Sequence, residues 1–293
     1  MSKVTYDSDK GGYQTKILLK SILVYIVLII LTLICLVPLY MLFVQATKTS
    51  SQAALGFTFI PSTNMLKNFE VLGTAYTKFN GLIGMRNSLI IALSCAGLTV
   101  FFAGMTAYGL VVYDFKLKGP AFVFILAVMM IPTQVTSVGF MKMLTNMKLT
   151  DSYIPLIVPS IAAPAIVFFM RQYMLSSFPL DIIEAARIDG SNEFRTFITI
   201  SIPMMKPAFA VQAIFAFISK WNDYYTQSLV LISGKQNQMT MPMMVKYVLG
   251  IRNNADYGAN ALAVFISIVP VAIIYIILSK FIIGGVAAGG VKE

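Results

Sequence analysis

Residues 21–44 contain no charged side chain. A helix rises about 1.5 Å per residue, so this stretch is long enough to cross the roughly 30 Å hydrocarbon core of a bilayer. It is too long for a removable signal peptide and has no small-residue cleavage site. Five further apolar runs follow at 87–112, 121–141, 154–170, 208–232 and 259–283. Prolines interrupt them at Pro132, Pro159, Pro164 and Pro270. Composition points the same way, with 58% hydrophobic and 12% charged residues, against about 25% charged in a soluble domain. So little polar surface excludes an ordinary soluble enzyme, a secreted domain and a disordered chain. The expectation is an all-α integral membrane protein. It has six transmembrane helices and a cytoplasmic loop of two short helices between helices 4 and 5.

Six crossings put both termini on one side. Segments on that side carry twelve Lys and Arg and the opposite segments carry nine, with Lys220 inside a span. The positive-inside bias favours the cytoplasm for both termini. Residues 1–293 then form one transmembrane domain. It has a cytoplasmic tail at 1–20, a cytoplasmic loop at 176–200, an extracytoplasmic loop at 233–258 and a cytoplasmic tail at 284–293. Gly11-Gly12 and the glycines of 284–290 read as flexible ends. The net charge of +10 fits topology and anionic lipid, with no nucleic acid partner. The chain has no histidine, which removes Ser-His-Asp catalysis, histidine metal sites and histidine pH switching. No metal site is expected. Cys35 and Cys95 both lie in apolar runs and read as buried small side chains.

The segment 176–197 breaks the apolar pattern. Residues 180–189 suit a helix with acids in its first turns, favoured by the helix dipole. Gly190 can take the left-handed position that ends it, and Ser191 is a natural cap for a second helix. Ile182, Ala185, Ala186 and Asp189 share a face by spacing. The alanines make that face shallow, and Glu184 and Arg187 flank it, so the pattern suits close approach by another protein.

Glu-Ala-Ala-Arg-Ile-Asp-Gly at 184–190, with Ile202-Pro203 a dozen residues on, resembles the EAA loop of ABC importer permeases. Arg-Ile-Asp inside it is the form typical of the carbohydrate-uptake members. Three weaker steps agree with that family: Phe217…Trp221-Asn222-Asp223, Asn87-Ser88-Leu89 and Met130-Ile131-Pro132. The end at 284–292 resembles the tail of the smaller permease chain of maltose-type systems, departing from it at Gly290 and Glu293. The resemblance covers about residues 15–292 and implies a multi-pass permease in a bacterial cell membrane. Such a permease moves a sugar or oligosaccharide delivered by an extracytoplasmic solute-binding protein. Its implied partners are a second permease chain in a heterodimer and two ATP-binding subunits. This chain holds no cofactor and is not itself an enzyme; ATP and Mg belong to the partner ATPase. Consistently, no G-x-x-x-x-G-K phosphate loop occurs here. By motif position, Glu184, Ala185, Ala186, Arg187, Asp189 and Gly190 dock the ATPase.

Two further groups of residues carry expectations. A charge at the centre of a membrane helix costs about 2.5–3.5 kcal/mol on insertion scales, and Lys220 and Asp223 can offset this by pairing across one turn. With Trp221, Asn222 and Tyr224 they form a candidate pathway or gate, since rings and amides suit sugars. A structural pair holding helices together is the competing reading. In the loop at 233–258, Gly234, Lys235, Gln236 and Asn237 are candidates for contact with the binding protein, and Arg252, Asn253 and Asn254 add similar chemistry. The remaining alternatives are an ABC permease for a non-sugar solute and a secondary transporter or channel. The latter expects ionisable residues in several spans, whereas only the fifth clearly has them.

Overall fold

The fold was read from a computed structural model, which describes residues 9–251 and 256–289. Every regular element among them is helical. The chain divides into two compact units, 1–71 with 255–265 and 72–254 with 266–293.

In the first unit, helix α1 (Asp9–Ala46) runs straight through Gly11-Gly12, which are helical and not a loose end. From Ile17 to Tyr40 its large apolar side chains are exposed all round, the pattern of a helix meant for apolar surroundings. Its last turn is different, because Val44 and Ala46 are completely buried. Asn68 of α3 (Met65–Thr74) donates its amide to the carbonyls of Ala46 and Lys48, both at 2.8 Å, so the orphan acceptors at the helix end are satisfied. Between them lies α2 (Ser50–Ala54), opened by a reciprocal capping box of Thr49 and Gln52. Tyr40 donates its hydroxyl to the Phe59 carbonyl and its ring stacks on that of Phe59, tying the intervening loop to α1.

The second unit is built on α4 (Gly81–Val112), which begins with an Asn80 cap, six residues earlier than the apolar run suggests. Ala92, Ala103 and Ala107 are completely buried along it, and small side chains let neighbouring helices approach closely. A Cβ on Gly104 would overlap the ring of Phe209, so any larger residue there would make that ring move. The third apolar run is not one straight helix. α5 (Lys118–Met129) and α6 (Thr133–Asn146) meet at 94°. Pro132 has no N–H and disfavours helical backbone in Ile131 before it, which accounts for the break.

The fourth run comprises α7 (Ile154–Ile157), a 3₁₀ turn (Val158–Ile161) and α8 (Pro164–Ser177). It continues past Met170, where the sequence reading ended it. Then come α9 (Asp181–Ile188), α10 (Glu193–Thr196), a π turn (Phe197–Ser201) and α11 (Ile202–Met204). A bend of 84° separates these last elements from α12 (Lys206–Trp221), next to Pro203 and Pro207. The fifth run ends at Trp221, not at 232, and the chain resumes as α13 (Tyr224–Val230). The supposed loop at 233–258 contains α14 (Met241–Gly250), and α15 (Tyr257–Gly289) completes the chain through Pro270. Helical structure therefore extends through Gly284-Gly285, while Gly290 and Glu293 lie outside the described residues. Four helices among those described are long and apolar enough to cross a membrane, or up to six if each bent pair is one crossing.

Candidate functional site

Helix α9 ends as its sequence requires. Ser191 N–H donates to the Ala186 carbonyl at 2.9 Å and Gly190 N–H to that of Arg187 at 3.0 Å, with Gly190 at φ +78°. These two bonds and the left-handed glycine make a Schellman motif. Ser191 is thereby part of the first helix's ending, and the cap of the second is Asn192, whose side chain accepts from Arg195 N–H at 2.8 Å. The expected Ser191 cap is one residue off.

The faces of α9 also differ from expectation. Ile183 and Ala186 point inward, at 1% and 7% exposure, while Ile188 is 87% exposed. Ile182, Glu184, Ala185 and Asp189 are also on the outside. Ile183 therefore seats the helix on the core with Phe197, Ala186 is buried on the same side, and the outward face is carried by Ala185 and its neighbours.

Arg187 is engaged within the chain. Its Nε donates to Glu193 Oε1 at 2.7 Å, and its guanidinium lies over the Tyr113 ring at 5.5 Å. Glu193 also accepts from the Tyr108 hydroxyl of α4 at 2.9 Å. The Arg187 guanidinium holds the Glu193 carboxyl below its usual range, and Glu193 pushes Arg187 up in turn. Phe197 packs between the rings of Phe101 and Tyr108 of α4, continuing the connection into the apolar core. Glu193, Tyr108 and Tyr113 were not recognised from sequence. The signal was Glu193, six residues after a motif arginine and one past a helix cap.

At the polar step of the fifth run, Lys220 Nζ stands 3.7 Å from Asp223 Oδ2, the pairing expected across one turn. The pair does not lie in a helix interior. Asn222 ends α12, and Asp223 caps α13 by accepting from Thr226 N–H at 2.9 Å. Asn and Asp favour such caps because their side chains bond nearby backbone. Trp221 is buried at 1% exposure, stacked on Phe217, and donates its indole N–H to the Ser267 carbonyl at 3.1 Å. Its ring is a packing element, enclosed apart from what borders a neighbouring hollow. Asn222 and Tyr224 are exposed and border a hollow of about 340 Å³ together with Lys246.

The stretch after α13 is pinned closely. Gly234 has φ +56°, and Gln236 donates its amide to the Thr77 carbonyl at 3.2 Å. Lys235 and Asn237 keep exposed side chains. Asn87 of α4, completely buried, donates to the carbonyls of Asn237 and Met239, both at 2.9 Å. Ser88 beside it accepts from Met241 N–H at 2.8 Å. Helix α14 then buries Met241, Met243, Met244 and Val248. Arg252, Asn253 and Asn254 lie outside the described residues. Among those described, no cluster of carboxylates and thiols is arranged to hold a metal ion.

Known proteins give these features a context. The family described as "Binding-protein-dependent transport system inner membrane component" matches residues 99–284. The arabinooligosaccharides transport system permease protein AraQ of Bacillus subtilis (strain 168) is 35% identical over 268 residues, 89% of this chain and 92% of that protein. The sn-glycerol-3-phosphate transport system permease protein UgpE of Escherichia coli O1:K1 / APEC is 26% identical over 258 residues, 86% of this chain and 90% of that protein. A crystal structure of a bacterial ABC transporter involved in the import of the acidic polysaccharide alginate contains a chain of the same fold. Its TM-score is 0.73 at 19% identity, covering 95% of this chain and 99% of that one.

Proposed function

The chain belongs to the binding-protein-dependent transport system inner membrane component family, and on that premise we propose that it is the membrane-spanning subunit of an ATP-driven importer for a sugar or oligosaccharide. In this reading a separate ATPase, carrying ATP and Mg, docks on the outward face of α9. A second permease chain completes the pathway, and an extracytoplasmic solute-binding protein delivers the solute. The bent pair of α5 and α6 counts as one crossing and α12 as another, which makes six, with both termini and residues 176–200 in the cytoplasm.

The observation that carries the reading is the coupling loop. Its outward face, with Glu184, Ala185 and Asp189, is free for a partner. Its inward face and Arg187 are fixed to α4 through Glu193, Tyr108 and Phe197. A push on α9 is therefore transmitted to a membrane helix through close packing, which deforms little. The 220–224 step supports a gate or helix-joining role more than a sugar platform, because Trp221 is enclosed. A neutral solute suits it better than an anion, since Asp223 offsets the charge of Lys220.

Gentle purification from the native membrane, followed by mass spectrometry, tests this. A phosphate-loop ATPase and a solute-binding protein should accompany the chain, and Glu184→Lys should lose the ATPase at unchanged yield of the chain. Recovery of no ATPase with the parent chain, where other complexes survive, overturns the proposal.

A further inference from the structure

We propose that Asp151 is the positioning residue that presets the extracytoplasmic segment 230–238 for the solute-binding protein, by holding it from the connection between α6 and α7. The proposal rests on the permease reading and deepens it, since it names the residue that readies a surface for that partner. Asp151 reaches the segment at three places with three different groups. Its N–H donates to the Val230 carbonyl at 2.9 Å, its Oδ1 accepts from Ser233 N–H at 2.9 Å, and its carbonyl accepts from the Gln238 side-chain amide at 3.0 Å. Tyr153, two residues on, donates its hydroxyl to the Gln238 carbonyl at 3.2 Å.

Backbone conformation singles Asp151 out. Among the described residues, Lys148 and Asp151 are the two non-glycine residues with left-handed backbone, at φ +56° and +57°. Lys148 is explained by the end of a helix. Its N–H donates to the Thr145 carbonyl at 3.1 Å and Leu149 N–H to that of Leu144 at 2.9 Å, the two bonds of a Schellman motif closing α6. Asp151 ends no helix. Left-handed backbone in a residue with a side chain persists only where its surroundings over-determine it, and here those surroundings are the 230–238 segment. Aspartate suits the position, because its short polar side chain tolerates that region better than most. Residues 231–240 belong to no regular element, so they have no helical bonding of their own to order them. Asn87 and Gln236 tie the second half of the segment down, and Asp151 governs the first. Along it Ile232, Lys235 and Asn237 present exposed side chains, an apolar group, a cation and an amide. Ordering a loose loop on contact lowers affinity. A segment anchored at 230, 233 and 238 is ordered before the partner arrives, and apparent affinity scales with the competent fraction.

The test uses the complete transporter in nanodiscs, titrated with the solute-binding protein that co-purifies with it, loaded with arabinotriose or raffinose, with ATP hydrolysis as the readout. Asp151→Ala should raise the half-saturating concentration of the loaded binding protein by about 2- to 12-fold, the equivalent of one net hydrogen bond, with the maximal rate unchanged. Asp151→Asn keeps an acceptor oxygen and tolerates left-handed backbone, so it should restore the parent value. Asp151→Gly keeps the backbone and loses the acceptor, so it should resemble Asp151→Ala. A nitroxide at Ile232→Cys, with Cys35→Ala and Cys95→Ser as background, reads the segment before any binding protein is added. It should be more mobile with Asp151→Ala than with Asp151→Asn. An unchanged half-saturating concentration in Asp151→Ala overturns the proposal, as does a fall in maximal rate alone or equal nitroxide mobility in all variants. Asp151→Asn as weak as Asp151→Ala also overturns it, because the charge would then act on the partner directly. Asp151→Gly matching the parent would assign the effect to backbone strain and remove the carboxylate from the role. If the loaded binding protein does not stimulate the parent complex, the importer reading itself fails and this proposal with it. Stimulation of the parent with no response to Asp151→Ala defeats the role of Asp151 alone.

Discussion

Arg187 belongs to the most specific motif in the chain, yet its guanidinium is turned inward to Glu193 and the Tyr113 ring. An exposed ion pair contributes little stability, about 0–1 kcal/mol, and both partners here are more than a third exposed. The pair's value lies in geometry, because it fixes the second short helix against the first. Its pH response has a definite sign. The folded carboxyl of Glu193 is held below its usual range, so its contribution is complete above the ordinary carboxylate pKa and is lost as pH falls through the lowered value. Hydrogen-exchange protection of the Ser191 amide, corrected for intrinsic rate, should hold from neutral pH down through the ordinary carboxylate range and fall only as the pH drops below that range. Glu193→Gln should abolish that step. A step of equal size in the variant would assign the response to other carboxylates.

At the scale of elements, Gly190 is the hinge of the coupling loop, held in the left-handed region. A β-branched residue in that conformation is strained by about 1–2 kcal/mol, which should unmake the Schellman motif and tilt α10 away from Glu193's partners. Gly190→Val should therefore reach the membrane at normal yield but recover only about a tenth of the ATPase. That follows because about 1.4 kcal/mol is a factor of ten in an equilibrium. Normal recovery would remove the loop from the docking role. The glycine was legible in sequence, as were the apolar runs, because both depend on short-range chemistry. The side of α9 that faces inward was not legible. Ile182 and Ile183 are adjacent and equally apolar, and the choice between them depends on Phe197 and α4. The bends were half legible: prolines marked the places, but the angles of 94° and 84° are set by packing. Helix α14 was missed because polar Gln236 to Gln238 drew attention from the Met-rich run after them, with Pro242 at its first turn.

For the whole molecule, apolar surface is the governing quantity. α1 exposes large apolar side chains on every side over most of its length, which is tolerable only in lipid or against another apolar chain. The six-crossing reading makes a definite prediction for the intact protein. A reporter fused after Glu293 should be reachable only from the cytoplasm, and one inserted at 235–237 only from outside. The same compartment for both would require five or seven crossings. The bond network at Asn87 has a consequence for the order in which the chain is made. Its two acceptors lie 150 and 152 residues downstream. At the usual elongation rate of about 5–20 residues per second, they emerge some 8–30 s after it does. Throughout that interval a primary amide near the start of a membrane helix lacks its permanent partners, and hydrocarbon offers no substitute. The nascent helix must therefore rest with that end at the water-facing boundary, or held by the insertion machinery, until the segment carrying Met239 arrives to seal it.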